Sequence, residues 1–173
     1  LIKIQYFYLS FFAKLQKIYQ KPKELVLFKK SAKKPQKMKR ENILTGSPWE
    51  DKMGYCRAVR IGNIIEVSGT VAIIDGEKVK ANDAYNQTLN ILERVEKVLE
   101  ELNVSMEDVI RTRIFTSDVS LFEEVATAHA KFFKDIKPTT GFYGINQLVA
   151  PEYLVEIEFT AIASEKPLIQ KGL

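Results

Sequence analysis

Between Tyr55 and Ala163 the spacing of apolar side chains switches from every second residue to every third or fourth, and back, twice over. A period of two belongs to a strand and one near 3.6 to a helix. The chain order is therefore hairpin, helix, strand, helix, strands, the first of the closing strands following the turn at Pro138. In "YCRAVRIGNIIEVSGTVAI", Val59 and Ile61 alternate, as do Ile65 and Val67. Gly62-Asn63 between them is a two-residue hairpin signal, because both residue types tolerate the positive φ of such turns. A second turn is expected at Asp75-Gly76. Leu89, Leu92, Val95, Leu99 and Leu102 then form one helical face, with Asn82 or Asp83 as N-cap and Asn103 as a left-handed stop.

The next strand, "DVIRTRIFTSD", alternates Ile110, Thr112, Ile114 and Thr116 against Arg111, Arg113 and Phe115. Ser120 to Glu123 reads as a capping box opening a second helix, with Phe122, Val125, Ala126, Phe132 and Phe133 facing inward. Pro138 ends that helix by disfavouring helical geometry at Lys137. In "EYLVEIEFTAIA", Ile157, Phe159 and Ala161 alternate against Glu156, Glu158 and Thr160. This order predicts an α+β two-layer sandwich, a mixed sheet covered on one face by two helices. The other face carries Arg111, Arg113, Glu156 and Glu158 beside bulky apolar neighbours, too mixed for a plain solvated surface, so it is expected to contact other copies of the chain.

Charge divides the 173 residues unevenly. Residues 1–40 hold 12 Lys and Arg and one acid, Glu24; residues 41–173 hold 14 Lys and Arg and 21 Asp and Glu, a balance of −7. An acidic body argues against a grip on phosphate backbones, which draws its affinity from Lys and Arg. Residues 1–37 are expected to be a basic extension outside the fold, and 38–173 a single domain. A targeting peptide or a basic arm for a membrane surface or nucleic acid are the open alternatives for the extension. Its longest uncharged run, ten residues from Ile4 to Ala13, falls well short of the roughly 20 needed to span a bilayer. The single cysteine, Cys56, fits a reducing, cytoplasmic compartment. One His and one Cys supply too few soft ligands for zinc, and nucleotide-binding and HExxH patterns do not occur, so neither metal nor cofactor is expected.

Several residues invite a chemical reading beside a structural one. Tyr55 and Arg57, two apart on an expected strand, either orient a small carboxylate or carbonyl or simply pack, the Arg snorkelling to water. Ser68-Gly69-Thr70 is either a close approach for a ligand or another backbone, or a bulge or turn. Glu156 is either a base or water-holding carboxylate, or half of an ion pair with Arg111 or Arg113. His129, the only histidine, has no triad-like partners and reads as a packed or surface helix residue; Cys56 reads as inert packing.

Three stretches, "GYCRAVRIGNIIEVSGT", "AYNQTLNILERVEKVLEELNVSMEDVIRTRIFTSDVSLFEEV" and "PTTGFYGINQLVAPEYLVEIEFTAIA", together resemble the reactive intermediate deaminase (Rid/YjgF, RutC-like) family. The resemblance implies a chorismate-mutase-like subunit in a homotrimer, with a small-metabolite pocket at each subunit interface. Its deaminase branch hydrolyses enamines and imines to keto acids and ammonia without a cofactor. Carried over, Tyr55, Ser68 and Gly69 match pocket positions, and Glu156 matches the glutamate that holds the attacking water. That branch reads Pro-x-Arg-Ser after the second helix, where the arginine clamps the substrate carboxylate; this chain reads Pro138-Thr139-Thr140-Gly141. Thr140 thus replaces the arginine, and backbone N–H groups near Gly141 are expected to serve as anion donors. Arg57, on the face of Tyr55, is the candidate for the missing charge. A hydroxyl offers at most one neutral bond where a guanidinium offers two charged ones, so a neutral or weakly charged ligand is expected.

Overall fold

The computed structural model describes residues 38–164; the expected basic extension lies outside them. Six strands form one sheet: β1 Arg40–Ile43, β2 Ala58–Ile61, β3 Ile64–Val71, β4 Val109–Thr116, β5 Thr139–Gly144 and β6 Val155–Ile162, in the spatial order β1-β2-β3-β6-β4-β5. All neighbours are antiparallel except β4 and β5, which run parallel. Parallel neighbours need a crossover, and helix α3 (Phe122–Phe133) supplies it. Helix α2 (Ala84–Glu101) connects β3 to β4, and a short helix α1 (Pro48–Met53) precedes β2.

The two long helices cover one face. Ile91, Leu92, Val95 and Leu99 of α2 and Val125 and Phe133 of α3 are buried with Ile65 and Val67 of β3 and Ile157 and Phe159 of β6. The strict alternation of β6 therefore puts Val155, Ile157, Phe159 and Ala161 under the helices and Glu156, Glu158 and Thr160 on the open face. This is the expected α+β sandwich. The hairpin turns at Gly62 with φ +64°, Asp83 caps α2 through Asn86 N–H, and Asn103 takes the left-handed conformation at φ +56°. At the second turn the Asp75 carboxylate accepts from the N–H groups of Glu77 and Val79.

Four details differ from expectation. A register shift between Val109 and Arg111 turns Ile110 outward. The Ser120–Glu123 capping box does not form, because a 3-10 turn at Val119–Leu121 takes up those residues; Ser120 instead bonds to Asp118, and α3 starts only at Phe122. Phe122 is half-exposed rather than inward, its ring edge-on to Phe142. Tyr55 and Arg57 precede β2 instead of lying in a strand.

Helix α1 and strand β1 were not anticipated. Ser47 caps α1, Pro48 sits in its first turn and Gly54 closes it at φ +70°. The buried Glu50 carboxylate accepts from the backbone N–H groups of Thr45 and Gly46 and from the Thr45 hydroxyl, tying the β1–α1 loop to the helix. These bonds, the Thr45 N–H foremost, hold Glu50 below the usual carboxylate range.

Candidate functional site

The centre of interest is a β-bulge. Between Val67 and Thr70 the pairing of β3 with β6 slips: Ser68 and Gly69 bow out between the pairs Val67↔Phe159 and Thr70↔Ile157, and Glu156 pairs with Val71 just beyond. The Glu156 carboxylate lies directly on Gly69: a Cβ there would stand 1.9 Å from Oε1 and 2.9 Å from Cδ. Gly69 is thus a site of close approach, and what approaches is the protein's own carboxylate. Among the described residues no donor binds that carboxylate. Burial, with Glu158 nearby, raises its pKa, while Arg57 pulls the other way. Arg113 forms its ion pair with Glu158, at 2.9 Å, and leaves Glu156 free.

Arg57 does not snorkel to water. It is 8% exposed, and Nη1 donates to Gly69 O at 2.8 Å and to Thr70 Oγ1 at 3.0 Å. Nη2 donates to the Tyr55 hydroxyl at 3.3 Å, and Nε is buried with no partner. The Ser68 hydroxyl donates to Cys56 O at 2.8 Å and Thr70 Oγ1 to Ser68 O at 2.8 Å, which pins the bulge from both sides. Tyr55, Arg57, Ser68, Gly69 and Glu156 are thereby brought into one neighbourhood.

Thr140 is not brought there. The registers Thr112↔Thr140 and Thr112↔Phe159 place it on the helix-bearing face, opposite to Glu156. Its hydroxyl accepts from Thr112 at 2.9 Å and donates to Pro138 O at 3.2 Å. Thr112 in turn stands 3.1 Å from His129 Nε2. Since the hydroxyl protons of Thr112 and Thr140 are spent, Nε2–H is the donor to Thr112, and burial pushes the His129 pKa down to about 4, keeping the ring neutral. His129 also packs on Phe133 at 4.5 Å, the structural role expected of it. Thr140, His129, Lys134 and Lys137 line a shallow depression of about 300 Å³.

Gly141 does lie on the open face, but Tyr143 covers it: a Cβ at Gly141 would fall 2.2 Å from the phenol oxygen. Tyr143 stacks on Phe115 at 5.5 Å, and Phe115 is the register partner of Glu156. Sequence reasoning missed this aromatic pair, although Tyr143 stands two residues after Gly141 in an expected strand and so shares its face. A second depression, about 350 Å³ and lined by uncharged residues including Asn146, Gln147 and Tyr153, belongs to the β5–β6 loop. Neither depression has Glu156 in its lining. Among the described residues no cluster of His, Cys, Asp or Glu could hold a metal ion, and no helix is long and apolar enough to cross a membrane.

A mixed sheet covered on one face by two helices is the fold of a known class. The family model described as Endoribonuclease L-PSP matches residues 48–163, and the chain belongs to that family, the YjgF/RidA/RutC-like group. A RutC family protein of Pyrococcus abyssi is 29% identical over 72% of this chain and 98% of its own length. An uncharacterized protein of Streptomyces coelicolor is 29% identical over 69% of this chain and 89% of its own. Among solved structures, the Mycobacterium tuberculosis member of the YjgF/YER057c/UK114 family is 38% identical, with a TM-score of 0.67 over 72% of this chain and all of that one.

Proposed function

We propose that the protein binds a small metabolite at the interfaces of a homotrimer in the cytoplasm and hydrolyses a C=N bond there, an imine or the imine tautomer of an enamine. Water adds to the carbon, ammonia leaves, and a carbonyl compound remains. Glu156 takes the proton from the attacking water. The observation that carries this reading is the Glu156 carboxylate itself: half-buried, raised in pKa, free of donors among the described residues, and seated on a glycine. A carboxylate of raised pKa suits general-base work. The stacked Phe115–Tyr143 pair on the open face, with Tyr143 exposed, supports assembly through that face.

The ligand is proposed to be neutral or weakly charged. The Thr140 hydroxyl proton is spent on Pro138 O, and Arg57 is buried with three of its N–H groups engaged. Loss of a buried charge partner costs about 2–5 kcal/mol, so a substrate carboxylate would bind tens- to thousands-fold more weakly than with a guanidinium clamp. The spent Thr140 hydroxyl also favours the second reading, a trimer that binds its ligand without turnover. An RNA-directed role, suggested by the family's description, sits poorly with a −7 balance over residues 41–173.

The test is to generate 2-aminoacrylate and its neutral amide analogue in situ and follow carbonyl product. Acceleration by wild type that Glu156→Gln abolishes, with the amide favoured, is the expected result. Ligand-induced thermal stabilisation with no acceleration would select the binding trimer. No response to either compound would remove this function and leave the fold intact.

A further inference from the structure

A buried arginine beside a lone carboxylate has two possible tasks: to reach for the ligand, or to hold the site in shape. The bonds of Arg57 decide between them. Its Nη1 is saturated by Gly69 O and Thr70 Oγ1, the two residues that close the bulge, and its Nη2 reaches Tyr55. Three of its five N–H groups are thus committed to the scaffold, and Nε, with no partner among the described residues, is buried away from solvent. We propose that Arg57 is the positioning residue of this site: it fixes the Ser68–Gly69 bulge and the Tyr55 phenol around Glu156 and sets a permanent positive charge beside that carboxylate, without touching the ligand. The proposal rests on Glu156 being the functional carboxylate.

The physical case has two parts. A guanidinium is planar and forks its donors in fixed directions, so it can join residue 55 to residues 69 and 70 in one fixed geometry, where an ammonium offers three protons from a single point on a flexible stem. Its charge also cannot be neutralised at any working pH. The groups facing Glu156 and Arg57 are known on each side. Glu158 on β6 disfavours the ionised Glu156, and Arg57 favours it. Arg113 on β4 is occupied by Glu158. Arg94 on α2 feels Arg57 as a like charge and donates to Val71 O, and Glu50 on α1 is stabilised by Arg57 as its last and smallest contributor. Arg57 is the one cation in this set that acts directly on Glu156.

The test is to titrate the Glu156 side-chain carboxyl by carbon NMR in wild type, Arg57→Gln, Arg57→Lys and Glu158→Gln, with Glu156→Gln assigning the signal. Amide exchange at Gly69–Val71 is read in parallel. The expected result is an upward shift of the Glu156 midpoint in Arg57→Gln, a downward shift in Glu158→Gln, and little change in Arg57→Lys, where the charge survives. In Arg57→Lys the amides of Gly69–Val71 should exchange at least tenfold faster, because the fork is gone. A folded Arg57→Gln with an unmoved Glu156 midpoint would overturn the electrostatic half. Wild-type exchange in Arg57→Lys would overturn the positioning half, and that variant alone decides if Arg57→Gln does not fold. Both readouts are independent of turnover, so failure of the proposed reaction and failure of this proposal are separable.

Discussion

Burial and the neighbouring Glu158 raise the pKa of Glu156 above the ordinary carboxylate value. A carboxylate whose folded-state pKa lies above its unfolded value is favoured in its protonated form by folding, and ionising it at neutral pH costs stability. Glu156→Gln is therefore expected to melt higher than wild type at pH 7, with the gain fading as pH falls through the raised pKa, while turnover disappears. Calorimetry across pH checks this; a lower melting temperature at pH 7 would mean that Glu156 is structural. Gly69→Ala tests the same contact from the other side. The obstructing atoms belong to the flexible end of Glu156, so the carboxylate should swing away and stability should change by about 1 kcal/mol or less. A Gly69→Ala protein that stays folded and keeps full activity would show that the seat of Glu156 is irrelevant to function.

At the level of elements, the long segments could be read because each carries a full period of apolar side chains against a common core. Helix α2 has eighteen residues and a fully buried stripe, and β6 alternates without a fault. Strand β1 offered no such signal: four residues, three of them exposed. Helix α1, at six residues, is under two turns, too short for an apolar period to show. Parity along β6 put Glu156 on the open face correctly, and parity along β5 would have put Thr140 on the other. What could not be read was the burial of Arg57, since its partners lie twelve and thirteen residues away across a bulge, and no local pattern encodes that. Gln87 shows the same kind of hidden long-range tie. Fully buried, it donates to Lys80, Ala81 and Glu152 carbonyls and accepts from Leu154 N–H, bolting two loops to α2. Each buried group left without a partner costs about 1–3 kcal/mol, so Gln87→Leu is expected to destabilise by about 3 kcal/mol in urea unfolding; a change below about 1 kcal/mol would contradict the bolt.

For the whole molecule, acid should act in two stages. His129 has a folded pKa of about 4 against an ordinary 6.5. Its stabilising contribution is complete above pH 6.5 and is lost as pH falls from about 6.5 to about 4, because the unfolded chain takes up the proton first. Glu50, Asp75, Asp108 and Asp118 are all held below their ordinary values by hydrogen bonds. Their contributions persist above the unfolded carboxylate range and disappear as pH drops through the lowered values. A His129→Gln variant should remove the first stage and keep the second; a wild-type melting temperature that is flat between pH 6.5 and 5 would contradict the burial of His129.

Glu156 stands on the open sheet face, and the proposed function needs further copies of the chain to close over it. Sedimentation equilibrium on the full chain, at micromolar concentration and neutral pH, tests this most directly. The prediction is a single species of about three times the 19.8 kDa chain mass. A species of one chain mass, in a sample that is folded by circular dichroism, would contradict it.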